Sequence, residues 1–85
     1  MKHTPLPYEQ ALVLQQINDA GEEDFTGLAA ALRFGRAKLA DILQSLHRKR
    51  LILVRKSSYA EAWVRLSSKG RQLMVQAWPE AMMAT

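Results

Sequence analysis

The chain has no cysteine, which removes disulfide bonds, thiolate metal ligands and cysteine nucleophiles together and leaves stability to the hydrophobic core. Cytoplasmic residence is expected. Histidine is nearly as scarce. His3 and His47 stand far apart, with no carboxylates converging on either, so no metal and no cofactor are expected. No apolar run approaches the roughly 18 residues that a bilayer span needs, and the N-terminal Met-Lys-His-Thr-Pro-Leu-Pro lacks the apolar stretch of a secretory signal. The expectation is a soluble protein without a membrane partner. No Ser/His/Asp or lysine-centred constellation is present, and the cluster Glu22, Glu23 and Asp24 reads as a solvated turn, so an enzyme is not expected. The length of 85 residues leaves room for one small domain, 1–85, with a core over roughly 8–78 and a tail over 79–85.

Acidic residues are missing from much of the second half, and this absence carries information. Residues 1–32 set Lys2 against Glu9, Asp19, Glu22, Glu23 and Asp24, a net of −4. Over residues 33–71, eleven Lys and Arg face only Asp41 and Glu61, a net of +9. An ordinary solvated surface intersperses its signs, whereas a segregated cation surface suits phosphate.

The apolar spacing predicts a mostly α fold with a small β-hairpin. After Pro5 and Pro7, positions 13, 14, 17 and 20 follow a helical period over Tyr8–Ala20, and Gly21 ends the helix. Phe25, Leu28, Ala29 and Leu32 mark a second, short helix that Thr26 is placed to cap. Arg33-Phe34-Gly35 interrupts it. A third helix runs from Arg36 to about Arg48, with Leu39, Ile42, Leu43 and Leu46 as its buried stripe. Two helices joined by a short glycine-containing turn, the second basic at its start, make a helix-turn-helix. Leu51–Lys56 and Ala62–Leu66 then read as a two-stranded hairpin with the polar tip Ser57-Ser58-Tyr59-Ala60. Ser67 or Ser68 caps a last helix that Trp78-Pro79 halts. Trp63, Phe25 and Phe34 read as core or hairpin packing rather than base-stacking residues.

This order of elements resembles the winged helix-turn-helix domains of bacterial and archaeal transcription regulators such as the MarR and PadR groups. Two stretches carry the likeness: Leu28 to Leu46, a leucine-alanine helix, a turn and a helix with two late leucines, and Val64-Arg65-Leu66-Ser67-Ser68-Lys69-Gly70-Arg71, which is similar to the family's strand ending in Leu-Thr-x-x-Gly-Arg. The chain departs from the pattern at Gly35, where the family often has a Ser or Thr cap, and at Arg50, where a glycine usually closes the helix. A left-handed Arg50 costs on the order of 1 kcal/mol relative to glycine; a slightly different helix end is the alternative.

The resemblance implies a DNA-binding transcription regulator whose third helix enters the major groove, with residues off the buried stripe facing the bases. Arg36, Ala37, Lys38, Ala40, Asp41 and Gln44 are then the base-facing candidates, and Arg55, Lys56 and Arg65 hold the backbone or minor groove from the wing. Arg48, Lys49 and Arg50 read as complements to the negative end of the helix dipole. Tyr8, Leu12, Met74, Trp78 and Met82 leave more apolar surface than a small domain covers, which suggests a homodimer addressing two half-sites of double-stranded DNA. The competing function is a winged-helix adaptor that binds a protein partner without DNA, with RNA binding a weaker third.

Overall fold

The structure, a computed structural model, describes residues 6–56 and 62–77. The elements run α1 (Tyr8–Ala20), β1 (Glu23–Asp24), α2 (Phe25–Leu32), α3 (Arg36–Arg48), β2 (Ile52–Lys56), β3 (Ala62–Leu66) and α4 (Ser68–Ala77). The helical bounds follow from the apolar spacing. α1 buries Ala11, Val13, Leu14 and Ile17, while Ala20, last before the positive-φ turn at Gly21, is exposed rather than part of the stripe. α3 buries Leu39, Ile42, Leu43 and Leu46. All of these but Ala11 meet Leu6, Leu28, Leu51, Ile52, Val64, Leu66 and Met74 in a single core.

The sheet has three strands in the order β1-β3-β2, one more than the two-stranded hairpin expected from the sequence. β2 and β3 pair antiparallel from Ile52↔Leu66 to Lys56↔Ala62. The acidic turn supplies the extra strand, with Glu23↔Val64 and Asp24↔Trp63. Strand pairing of this kind is satisfied by main-chain groups, so acidic side chains do not prevent it. Asp24 also caps α2, accepting a hydrogen bond from the Gly27 amide at 3.0 Å. Thr26 is therefore not the cap. The helix begins one residue ahead of it, which puts Thr26 inside the first turn.

Of the two departures from the family's pattern, Gly35 stands at the N-cap of α3 without a side-chain capping hydrogen bond, and Arg50 shows in the backbone. Arg50 takes the left-handed conformation with φ 63°, and Arg33 at the end of α2 does the same with φ 59°. Each costs roughly 1 kcal/mol relative to glycine. Around Arg50 the chain closes helix α3 by Arg50 N–H to His47 C=O at 2.9 Å and Leu51 N–H to Leu46 C=O at 3.0 Å. The Ser67 hydroxyl donates to the Arg50 carbonyl at 2.7 Å and accepts from the Gly70 amide at 3.0 Å, capping α4 while fixing it to that joint. Gly70 is required by this approach: a Cβ there collides with the Leu51 carbonyl oxygen.

Met74 is fully buried, with 0% exposure. It seals the core beneath α4, so its apolar surface is consumed within one subunit and is not free for a dimer contact. Among the described residues no helix is long and apolar enough to cross a membrane.

Candidate nucleic-acid interface

The helical period divides the part of α3 outside the core into three faces. Toward α1 lie Lys38, Ser45 and Lys49. The Lys38 Nζ stands 2.6 Å from Glu9 Oε2 and 5.0 Å from the centre of the Phe34 ring. Gln10 ties the rest of this flank, donating to Ser45 Oγ at 3.2 Å and accepting from Lys49 Nζ at 3.0 Å. Lys38 is thus directed at α1, away from the helix's outermost side.

That outermost side carries Ala37, Asp41, Gln44 and Arg48, spaced i, i+4, i+7 and i+11 and all exposed. No hydrogen bond or ion pair engages the side chains of Asp41, Gln44 or Arg48 among the described residues. The sequence reading makes Arg48 a complement to the helix dipole. The spacing from Ala37 places it in line with the other three, and that spacing was available in the sequence.

The third face looks onto the hairpin across a cleft of about 510 Å³, where Arg36, Ala40, Gln44 and His47 stand opposite Val54, Lys56 and Ala62. The Arg36 guanidinium lies 4.7 Å above the Phe25 ring, an arrangement that holds a long cation at the start of α3 without a carboxylate partner. Phe25 and Phe34, both partly buried against the core, therefore also support the two cations of the first turn.

The alternation of the hairpin separates the wing cations. Lys56 shares the α3 side of the sheet with Val54 and Val64. Arg55 and Arg65 point to the other side, around a groove of about 300 Å³ with Glu22, Leu53 and Trp63. There Arg55 Nη2 pairs with Glu22 Oε2 at 3.0 Å. Of the expected contact residues, the structure brings Arg36, Gln44 and Lys56 to one cleft and lines Ala37, Asp41 and Gln44 along one face. It does not bring Lys38, Arg55 or Arg65 to either place. Among the described residues no group of His, Asp and Glu is arranged to hold a metal ion.

Of the residues expected at a dimer contact, Tyr8 is 76% exposed and Leu12 is partly buried. Trp78 and Met82 lie outside the described residues, as does the hairpin tip 57–60.

No protein-family model matches the sequence, and no curated protein matches it. Solved structures do. A mutant of MarR from E. coli in complex with operator DNA superposes with a TM-score of 0.80 at 20% identity, over 86% of this chain and 54% of that one. BpsR from Bordetella bronchiseptica, whose DNA binding is regulated by 6-hydroxynicotinic acid, gives a TM-score of 0.80 at 20% identity, over 99% of this chain and 67% of its own. A mutant of S. aureus MepR bound to an oligodeoxyribonucleotide gives 0.79 at 20% identity, over 93% and 59%. The chain spans a little over half the length of the MarR and MepR chains it matches. At these TM-scores the chain has the winged helix-turn-helix fold of the MarR-type regulators.

Proposed function

We propose that this chain is a cytoplasmic, sequence-specific transcription regulator that binds duplex DNA with α3 in the major groove and the wing on the backbone. The observation that carries this reading is the outward face Ala37, Asp41, Gln44 and Arg48. It is a row of exposed side chains without partners among the described residues, on a helix held firmly by four buried residues. Gln44 offers a donor and an acceptor to adenine N6 and N7, Asp41 accepts from cytosine N4, and Ala37 packs on a thymine methyl. Arg36 reaches guanine O6 and N7 from the cleft side of the same helix. Lys56, across the cleft, meets the phosphates beside the groove, and Arg55 and Arg65 do so from the far side of the wing. Two of the similar structures, those of MarR and MepR, contain DNA, which supports the same use of the fold here.

The chain acts as a homodimer in this reading, with Tyr8 and Leu12 at the contact, so that two copies of α3 address half-sites about one DNA turn apart. Selection from randomised duplexes, followed by fluorescence anisotropy at two salt concentrations, tests the function. An enriched motif bound more tightly than random duplex, with affinity falling steeply as salt rises, is the expected result. Absence of binding to any duplex at low salt rejects the reading and leaves the protein-binding adaptor.

A further inference from the structure

Arg33 stands at a position where glycine is the easier residue. Its left-handed backbone, φ 59° and ψ 35°, ends α2 through the Arg33 amide to the Ala29 carbonyl, and the neighbouring Phe34 amide reaches the same carbonyl at 3.2 Å. Those are backbone duties, which glycine performs without strain. The side chain is exposed and makes no hydrogen bond or ion pair among the described residues. The turn beside it is open, with nothing within 4 Å of where a Cβ on Gly35 would stand. No acidic residue occurs between Asp24 and Asp41. Of the other two cations in that stretch, Arg36 rests on Phe25 and Lys38 is taken by Glu9. Among the described residues Arg33 is the one of the three without a compensating partner.

We infer that Arg33 is a further DNA contact, a phosphate clamp in the helix-turn-helix turn itself, retained against the backbone preference of its position because its charge is used. This rests on the DNA-binding reading above and adds to it a contact outside both α3 and the wing. The guanidinium donates to a backbone phosphate flanking the groove that α3 enters, and so contributes affinity without base preference.

Arg50 provides an internal control, since it shares the left-handed backbone but lies at the opposite end of α3. The test compares wild type with Arg33→Gly, Arg33→Gln and Arg50→Gly, by anisotropy on the duplex selected above over a range of salt and by thermal melting. Arg33→Gly is expected to melt about 4 °C higher, through relief of strain, yet to bind about 3- to 10-fold more weakly, with the salt slope reduced by about one. Arg33→Gln, which keeps a Cβ in the turn, loses the same affinity without the gain in melting temperature. Arg50→Gly gains stability and binds as wild type. If both Arg33 variants bind as wild type, the clamp is overturned while the DNA-binding reading stands. A fall in melting temperature for Arg33→Gln with unchanged binding also overturns it, and identifies the arginine as a complement to the dipole of α2. If wild type itself does not bind, the reading beneath the clamp is what has failed, and the clamp falls with it.

Discussion

Two of the three faces that α3 turns away from the core, the one toward α1 and the outward one, are both polar and differ in what surrounds them. On the α1 side, Lys38 and Lys49 are each answered, by Glu9 and by Gln10. On the outward side, Asp41, Gln44 and Arg48 have no side-chain partner among the described residues. A count of positive charges ranks the first flank higher. The partners reverse that ranking, because a cation already paired with a carboxylate has to give up that contact before it can hold a phosphate, whereas an unpaired polar side chain has nothing to give up. The wing repeats the contrast, with Arg55 held by Glu22 on one side of the sheet and Lys56 facing the cleft on the other.

The strongest way to break the comparison is to unseat the helix that carries both flanks. Leu39 is fully buried, and Leu39→Ala is expected to cost about 2–5 kcal/mol of stability in urea denaturation. DNA affinity should then fall at temperatures where the variant is partly unfolded and recover on cooling, which separates loss of the seat from loss of a contact. Next in size, Gln44→Ala combined with Arg48→Ala on the outward face is expected to weaken binding to the selected duplex by about 10- to 100-fold. The same pair should leave the urea midpoint within about 0.5 kcal/mol of wild type. Equal loss of affinity from Lys38→Ala would erase the distinction between the flanks. That substitution is expected to weaken binding less than about threefold and to cost at most about 1 kcal/mol, since the ion pair it breaks is half exposed. The smallest effect sharpens the comparison most. Glu9→Gln releases Lys38 and removes a nearby negative charge, so affinity should rise about twofold at low salt, with the gain lost at high salt.

Much of this arrangement was legible in the sequence, for identifiable reasons. The bounds of α1 and α3 and the buried stripe of α3 follow from periodicity and from glycine punctuation, which are local properties. Gly70 was noticed as part of a pattern, and its cause, the collision with the Leu51 carbonyl, required the tertiary contact. β1 was invisible because Glu23 and Asp24 have neither the alternation nor the side chains of a strand, and pair only because β3 offers an edge. Met74 reads as surplus apolar surface in the sequence, because a sequence does not show which apolar residue a distant element will cover. The surroundings of Lys38 and Arg48 stay hidden in the sequence for a related reason: helical spacing gives the face, and only the placement of α1 says which face is already occupied.

Asp24 belongs to two structures at once. It pairs with Trp63 in the sheet that carries the wing, and its carboxylate starts α2, the first helix of the helix-turn-helix. The sheet that carries the wing and the start of α2 are therefore joined at a single residue, like a caliper with a fixed joint rather than two arms on a hinge. On the DNA-binding reading proposed above, a duplex whose groove does not match the spacing of wing and recognition helix would have to deform to be held, and sequences would then differ by their stiffness as well as by the edges of their bases.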